Sequence, residues 1–299
     1  MVASPASPVV QAFEDQAGPA GRLAQALGVP FRPVALHRFP DGEWLPTVVP
    51  TAGTVIAHVS LDRPNETLMA LLLACDAWRR AGARRLVLVA PYLCYMRQDR
   101  IFEPGQSLSR DVVGALLGPR FDRILTVDAH LHRTRSLAEV FGSTPAEDLS
   151  AAAPLAAALA EGRPSVVLGP DQESRPWAGR IAKALGADLR VATKTRTGDR
   201  AVAVDIGSPD AFRGRNVAVV DDICSSGGTL LQAVSRLREA GAARIEIGVV
   251  HALFDPAVEA RLRAAGADRI VSTTSVVHPT NAADLSGLLA QALEDEIAP

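Results

Sequence analysis

The segment from Asn216 to Thr229 constrains the fold of this chain most, because it joins a strand, an acidic pair, a small-residue loop and a helix start. Val217 to Val220 is a short apolar run rich in β-branched residues, which predicts a buried strand. We expect Asp221 and Asp222 to end this strand. A strand followed by a loop and a helix is the unit of parallel α/β sheets, so the segment predicts that class of fold.

The loop after the acidic pair consists of small hydroxyl and glycine residues, namely Ser225, Ser226, Gly227, Gly228 and Thr229. Glycines let the backbone approach a ligand closely, and hydroxyl groups donate hydrogen bonds. The start of the following helix offers unpaired N–H groups with partial positive charge. This loop is therefore predicted to bind a phosphate group without help from a lysine.

Asp221 and Asp222 are placed to accept hydrogen bonds from the hydroxyl groups of a sugar attached to that phosphate. The alternative interpretation is a Gly-Ser connection beside two solvated aspartates, but an acidic pair between a strand and such a loop is a more specific pattern than a lone glycine loop. The segment resembles the 5-phosphoribosyl diphosphate loop of the type I phosphoribosyltransferase superfamily. That resemblance does not separate transferases, which consume this diphosphate, from synthetases, which make it.

Composition limits the class of protein and of ligand. With 299 residues and 48% hydrophobic content, the chain has material for two cores. A formal net charge of −2 gives no support for binding to nucleic acid or to an anionic membrane, so we expect a small-molecule substrate. Three cysteines, Cys75, Cys94 and Cys224, show no metal-ligand spacing and fit a reducing compartment, with Cys224 as a buried filler. We expect a cytoplasmic location, since no apolar run is long enough to span a bilayer.

Predicted strands alternate with predicted helices in both halves of the chain, which favours two parallel-sheet domains with ligands at the carboxyl ends of the strands. The segment from Met1 to Pro19 is expected to be loose at its start, and Ser109 is predicted to cap a helix. The polar segment from Thr193 to Asp199 is predicted to be a flexible loop. A single last helix is predicted from Asp284 to Ile297.

The two halves also share short motifs, which indicates an internal duplication. Ala81-Gly-Ala-Arg-Arg-Leu86 matches Ala240-Gly-Ala-Ala-Arg-Ile245 at the start of one predicted strand. Phe121-Asp-Arg-Ile124 matches Ala267-Asp-Arg-Ile270 at the start of the next.

From about Phe31 to Leu293 the chain resembles the ribose-phosphate diphosphokinase family, also called phosphoribosyl pyrophosphate synthetases. The resemblance implies two tandem type I phosphoribosyltransferase-like domains, which we place at residues 1–148 (the ATP side) and 149–299 (the ribose 5-phosphate side), with the last helix packing back on the first domain. In that family the active site lies between the two domains and a neighbouring subunit. We therefore expect a homo-oligomer, at least a dimer.

Two motifs of the first half resemble the family's ATP site. Arg38-Phe-Pro-Asp-Gly-Glu43 would by itself be read as a hairpin tip, but it resembles the family loop that reaches adenine from an adjacent subunit. Tyr95-Met-Arg-Gln-Asp-Arg100 resembles the segment that lines the ATP site, and Asp128-Ala-His130 resembles the family's Asp-Leu-His. The residues implied to bind ATP are Phe39, Asp41, Glu43, Arg97, Gln98, Asp99 and His130.

The resemblance also implies a metal site and a catalytic loop. Asp171 and His130 match metal positions, where Mg²⁺ takes one or two protein ligands and several waters or phosphate oxygens. Lys194 and Arg196 match the Lys-x-Arg of a mobile loop, whose positive charge would stabilise the phosphoryl oxygens in the transition state. The loop from Asp221 to Thr229 would hold the ribose 5-phosphate.

The activity implied is transfer of the diphosphate group of MgATP to the anomeric hydroxyl of ribose 5-phosphate, for nucleotide biosynthesis. Two alternatives remain at this point: a phosphoribosyltransferase that consumes the product, and a catalytically silent homologue that regulates a true synthetase. The transferase should not need the first half of the chain. Lys194, Arg196, His130 and Asp171 argue against the silent homologue.

Three segments depart from the common family pattern. The family's Pro-Asp-x-Gly-Gly is Pro170-Asp-Gln-Glu-Ser174 here, which makes close backbone approach to a ligand less certain. Its Gln-Ile-Gln-Gly-Phe-Phe is replaced by Arg133-Thr-Arg-Ser-Leu-Ala138, so regulation by ADP or phosphate and hexamer assembly are not carried over. Ser225-Ser-Gly-Gly-Thr229 replaces Asp-Thr-Ala-Gly-Thr and keeps the hydroxyl and glycine chemistry.

Overall fold

A computed structural model describes residues 8–51, 53–131, 133–197 and 201–297, with the backbone only for 194–197 and 201–203. The chain forms two compact units. One unit contains the chain up to Leu149 together with the segment from Leu285 onward, and the other contains Ser150–Asp284. Both are α/β units with mainly parallel sheets, which confirms the predicted fold class.

The first unit is built on a seven-stranded sheet. Its strands are β1 (Val9–Phe13), β2 (Phe31–Arg38), β3 (Trp44–Thr47), β4 (Thr54–His58), β5 (Arg85–Ala90), β6 (Arg123–Val127) and β7 (Ala146–Leu149). Its first helices are α1 (Ala17–Leu27), α2 (Pro64–Arg80), α3 (Ser109–Leu117) and α4 (Ala138–Phe141). The strand order is β3-β2-β1-β4-β5-β6-β7, parallel throughout except for the β2–β3 hairpin.

The expected loose start of the segment from Met1 to Pro19 lies outside the described residues. Two features of this unit differ from the expectations: the same segment contains β1, a strand that was not predicted, all five residues of which are buried in the middle of the sheet. The Pro and Ala residues on either side favour a loop, so the short apolar run that pairs with β2 and β4 was not recognised as a strand. Ser109 does not cap α3, because the cap position is Leu108 and Ser109 is already inside the helix.

The second unit is built on a six-stranded parallel sheet and a separate two-stranded hairpin. Its helices are α5 (Ala152–Leu159), α6 (Arg175–Leu185), α7 (Gly228–Glu239) and α8 (Pro256–Ala264). The sheet strands are β8 (Val166–Gly169), β9 (Asp188–Val191), β12 (Asn216–Cys224), β13 (Arg244–Ala252), β14 (Arg269–Thr273) and β15 (Asn281–Ala283), and the hairpin strands are β10 (Thr193–Thr197) and β11 (Ala201–Asp205). The sheet order is β15-β14-β13-β12-β8-β9.

The end of the chain returns to the first unit as two short helices, α9 (Ser286–Ala292) and α10 (Glu294–Ile297). The prediction of one continuous helix is wrong, because the helix breaks at Leu293. Helix α9 packs against α1. The Glu296 carboxylate accepts hydrogen bonds from Arg85 at 2.6 and 2.8 Å and from Arg123 at 3.3 Å, and these bonds attach the last helix to β5 and β6.

Among the described residues no helix is long and apolar enough to cross a membrane.

Candidate functional site

The acidic pair lies within strand β12 and not, as the sequence suggests, after its end. The strand continues through Asp221 and Asp222, and its ladder with β13 reaches Cys224, which pairs with Ala252. The expectation that the two aspartates end the strand is therefore wrong. The reason is that β13 is as long as β12, nine residues each, so backbone pairing is available beyond the apolar run.

Both carboxylates are fixed by hydrogen bonds to the strand that carries them. Asp221 accepts from the backbone N–H of Asp222 at 3.1 Å, and Asp222 accepts from the N–H of Ile223 at 2.7 Å. Asp222 is buried and Asp221 is half-buried. Two preorganised carboxylates at the carboxyl end of a central strand suit recognition of neutral hydroxyl groups, because little side-chain freedom is lost on binding.

The loop after β12 has the geometry of an anion site. Gly227 precedes α7 with a φ of 71°, and no described side chain caps this helix. A Cβ on Gly227 would lie 2.7 Å from Cγ1 of Val258, so both the backbone angle and the available space require glycine. Ser225, Ser226 and Gly228 are exposed. Hydroxyl groups and first-turn N–H groups are thus available to an anion at this helix start.

Cys224 is confirmed as a buried filler. Its side chain is 1% exposed, and burial, reinforced by the negative charge of Asp221, raises the pKa of the thiol to about 12. A protonated, buried thiol is a poor nucleophile, so the chemistry of the loop does not involve it.

In the segment Pro170–Ser174, which differs from the family pattern, the side chain of Ser174 points into the protein. Ser174 is fully buried; its Oγ donates to the backbone oxygen of Asp171 at 2.6 Å, while its N–H donates to Oδ1 of Asp171 at 3.0 Å. A Cβ on Gly169 would lie 2.2 Å from Ser174 Oγ, so the hydroxyl occupies the space beside that glycine. The extra side chain therefore stabilises the turn that positions Asp171 at the end of β8, whereas Gln172 and Glu173 are exposed.

The Lys-x-Arg segment forms a β-hairpin rather than the predicted polar loop. Lys194 pairs with Val204 and Arg196 with Val202 across the antiparallel ladder of β10 and β11. The side chains of both cations, and all of Gly198 and Asp199, lie outside the described residues. Alternating threonines in β10 favour a strand, a signal that the charges obscured. At the base of the hairpin Val204 N–H donates to Gln232 on α7 at 3.0 Å.

In the first unit, the segment from Tyr95 to Arg100 leaves β5 through a constrained turn. Tyr95 has a φ of 64°, which is unusual for a non-glycine residue, and its hydroxyl donates to Oδ1 of Asn65 at 2.7 Å. The N–H of Gln98 donates to the Tyr95 carbonyl at 3.1 Å. Arg97 and Gln98 are exposed and Asp99 is buried, so the segment offers a guanidinium and an amide to solvent at the end of the sheet.

His130 follows the carboxyl end of β6 and is half-buried. Asp128, at the turn, has a φ of 39°, and the next N–H, that of Ala129, donates to Oδ1 of Asp148 at 2.9 Å. Strands β5 and β6 are neighbours in the sheet. The histidine and the segment with Arg97 thus follow the same edge of one sheet.

The segment from Arg38 to Glu43 is a hairpin tip, as the Asp-Gly signal predicts. Phe39 N–H donates to the Glu43 carbonyl at 2.9 Å, and Oδ1 of Asp41 accepts from Glu43 N–H at 3.2 Å. The Phe39 ring meets His37 edge-on with ring centroids 4.6 Å apart, yet it stays exposed. Asp41 and Glu43 are exposed as well, so all three predicted residues project from the β2–β3 turn.

The predicted site residues thus fall into two groups. Phe39, Arg97, Gln98 and His130 lie in the first unit, and Asp171 lies in the second with the acidic pair and its loop. Within the described ranges no three His, Cys, Asp or Glu side chains are grouped to hold a metal. A site with one or two protein ligands and phosphate oxygens, as Mg²⁺ adopts, needs no such group, and the carboxylate of Asp171 is a ligand of the kind which that ion prefers.

Sequence reasoning missed Arg133. It lies in the segment that departs from the family pattern, and its Nη1 approaches both carboxylate oxygens of Asp99 at 3.1 and 3.4 Å. The replacement of a neutral glutamine by an arginine was the available signal.

Comparisons with known proteins agree over both units. Residues 10–118 match the family described as the N-terminal domain of ribose phosphate pyrophosphokinase, and residues 149–281 match the phosphoribosyl transferase domain family. A ribose-phosphate pyrophosphokinase of Methanopyrus kandleri is 35% identical over 279 residues, which is 92% of this chain and 94% of the relative. One from Halobacterium salinarum is 32% identical over 277 residues, 92% and 96% of the two chains. The crystal structure of a phosphoribosylpyrophosphate synthetase from Mycobacterium smegmatis superimposes with a TM-score of 0.81 at 26% identity, covering 96% of this chain and 97% of the other.

Proposed function

The chain belongs to the ribose-phosphate pyrophosphokinase family, and from that premise we propose how its residues carry out the reaction. It is an enzyme that transfers the diphosphate group of ATP to the anomeric hydroxyl of ribose 5-phosphate, giving 5-phosphoribosyl 1-diphosphate and AMP. The observation that carries this conclusion is the match of residues 10–118 to the pyrophosphokinase N-terminal domain, since a phosphoribosyltransferase has no need of that half.

Ribose 5-phosphate binds in the loop after β12. Its phosphate accepts hydrogen bonds from the Ser225, Ser226 and Thr229 hydroxyl groups and from the N–H groups of Gly228 and Thr229 at the start of α7. Asp221 and Asp222 accept hydrogen bonds from the ribose hydroxyls. Support comes from the two fixed carboxylates and from a Gly227 that neither tolerates a side chain in its backbone conformation nor has room for one.

ATP binds at the strand ends of the first unit. Arg97 and Gln98 contact the nucleotide, and His130 lies beside its phosphates. Asp99 holds the segment from Tyr95 to Arg100 in place, since its carboxylate is buried and paired with Arg133. Phe39, Asp41 and Glu43 contact the adenine of a neighbouring copy, in line with their exposure on the hairpin tip, so the enzyme works as a homo-oligomer of at least two chains.

Asp171 and His130 would hold Mg²⁺, which supplies positive charge to the phosphate oxygens. Asp171 is already oriented for such a role by the Ser174 N–H.

In the reaction the anomeric oxygen of ribose 5-phosphate attacks the β-phosphorus of ATP, and the bond from the β-phosphorus to the α,β-bridging oxygen breaks. AMP leaves with that oxygen, and the proton of the attacking hydroxyl is lost to solvent. Lys194 and Arg196 neutralise the charge that develops on the departing and transferred oxygens. Both residues belong to one strand of the hairpin, with one residue between them.

The test is an assay of the purified full-length chain with ribose 5-phosphate and MgATP. The expected result is AMP and 5-phosphoribosyl 1-diphosphate in equal amounts, with no turnover when ribose 5-phosphate is left out. An absence of AMP, together with consumption of supplied 5-phosphoribosyl 1-diphosphate in the presence of a base, would show a phosphoribosyltransferase instead. We place the reaction in the cytoplasm, where a chain with cysteines that are free and buried stays reduced.

A further inference from the structure

The segment that binds the nucleotide in the proposed function is held by an ion pair whose carboxylate is buried. The Asp99 side chain is 2% exposed, whereas that of Arg133 is 45% exposed, so the carboxylate is buried and the guanidinium lies between it and solvent. Arg133 Nη1 lies 3.1 and 3.4 Å from the two oxygens of Asp99. An ionised carboxylate at this depth is costly unless a cation pairs with it, so Asp99 depends on Arg133.

A second contact joins the same two segments. Arg110, at the start of α3, donates from Nη1 to Oγ1 of Thr134 at 2.5 Å and from its backbone N–H to the Gln98 carbonyl at 3.4 Å. The Thr134 side chain is buried. Consecutive residues, Arg133 and Thr134, thus support both Asp99 directly and Gln98 through Arg110.

These contacts act on a segment whose backbone is otherwise strained. The positive φ of Tyr95 turns the chain away from β5, and the Tyr95 hydroxyl is tied to Asn65. Arg97 and Gln98 lie between this turn and the buried Asp99, so their direction depends on both ends being fixed. Loss of the pair at Asp99 would release one end, since a buried carboxylate without its cation would turn toward water.

We propose that Arg133 is a positioning residue for ATP binding, which acts through Asp99 to hold Arg97 and Gln98 in their binding direction. This inference rests on the proposed function only in assigning the nucleotide to that segment. Common members of the family have glutamine at the matching position, so this chain uses an ion pair where a neutral residue is usual. The substitution Arg133→Gln restores the usual residue and removes the charge.

The test measures MgATP binding by calorimetry without ribose 5-phosphate, and then steady-state kinetics. Arg133→Gln should raise the dissociation constant and KM for ATP about tenfold, roughly the worth of one charge-assisted hydrogen bond, while kcat and KM for ribose 5-phosphate change less than about twofold. Arg133→Lys, which keeps the charge, should recover part of the affinity. Arg135→Gln, an exposed arginine two positions on, is the matched control and should match the wild type.

A cycle with Asp99→Asn separates positioning from general stability. Because the two residues act as one unit, the double variant should bind ATP no more weakly than Arg133→Gln alone. Unchanged ATP affinity in Arg133→Gln, or equal losses in kcat and in both KM values with a lowered melting temperature, would overturn the inference. A wild type that binds ATP in an Arg133-dependent way but makes no AMP would instead refute the proposed function and leave this inference in place.

Discussion

The β4–α2–β5 part of the first unit and the β12–α7–β13 part of the second are two versions of one structure. In the first, Oδ2 of Asp122 accepts from the N–H of Leu86 at 2.7 Å and from Arg79 at 2.8 Å. In the second, Asp268 accepts from the N–H of Ile245 at 2.8 Å and from Arg238 at 2.5 Å. The motifs matched in the sequence therefore mark an equivalent arginine–aspartate link in each half, which supports the internal duplication.

The loops at the other end of these two parts differ. In the first unit Gln16 clamps the backbone of Ser60, with bonds of 2.6 and 3.0 Å, and Pro64 starts α2. In the second unit the loop contains Gly227 and exposed hydroxyls, and α7 starts without a side-chain cap. The halves thus share the link that holds the sheet together and differ in this loop, so the phosphate-binding role that we propose belongs to the loop after β12 and not to the fold.

Removing the one proposed catalytic lysine should produce the largest effect. Lys194 lies on the β10–β11 hairpin of the second unit, and the first unit has no separate hairpin of this kind among its described strands. Lys194→Ala should lower kcat by about 100- to 1000-fold with little change in either KM, because its charge acts mainly in the transition state. Steady-state kinetics tests this, with Lys183→Ala, an exposed lysine on α6, as the control. A rise in KM at unchanged kcat would contradict the role.

His58, a buried histidine of the first sheet, should make the stability of the protein depend on pH. His58 on β4 and Val220 on β12 occupy equivalent positions in the two sheets. His58 pairs with Val89, three residues after Leu86, and Val220 pairs with Gly248, three residues after Ile245. Burial lowers the pKa of His58 to about 4, with a smaller contribution from the charge of Arg22. Its Nδ1 has no hydrogen-bond partner within the described part of the chain.

In the unfolded chain His58 therefore takes up a proton near pH 6.5, whereas in the folded chain it does so only near pH 4. The free energy of unfolding should fall as the pH is lowered across this window, by about 1.4 kcal/mol per pH unit from this group. Urea unfolding of the wild type and His58→Val between pH 7 and pH 4.5 checks this, and the variant should show a smaller slope. Equal slopes would mean that His58 is protonated in the folded state.

The equivalent aspartates should give the smallest effects, and these should be similar in size. Asp122→Ala and Asp268→Ala each remove a half-exposed ion pair and a bond to a backbone N–H. We expect each to lower the free energy of unfolding by roughly 1 to 2 kcal/mol. Denaturant unfolding is the measurement, with Asp76→Ala, whose partner Arg80 is exposed, as the control. A large loss from only one of the pair would show that the two links are not equivalent.

Much of this arrangement follows from the sequence because local signals agreed with the final packing. The run from Val217 to Val220 was predicted as a buried strand and lies within β12, since an unbroken apolar run suits a strand covered on both faces. The loop from Ser225 to Thr229 was predicted for a similar reason, because the backbone angle of Gly227 requires a glycine at the helix start.

The remainder depends on partners distant in the sequence. The five residues of β1 become a central strand only through β2 and β4. The acidic pair lies inside β12 because β13 extends beyond it. Asp99 was predicted to bind ATP, but its carboxylate is buried against Arg133, which is 34 residues away. Neither hydrophobic periodicity nor secondary-structure propensity indicates which distant residues will pair.

The most direct test of the central claim, that the loop after β12 binds ribose 5-phosphate and the loop from Tyr95 to Arg100 binds ATP, compares the KM values of two variants of the full-length enzyme. Asp222→Asn should raise KM for ribose 5-phosphate about tenfold or more and leave KM for ATP within about twofold, and Arg97→Ala should do the reverse, because each removes a charged contact to one ligand only. Asp62→Asn, in the loop between β4 and α2, should change neither KM. If Asp222→Asn instead weakens ATP, or if both variants raise both KM values alike, the assignment of one substrate to each loop is contradicted.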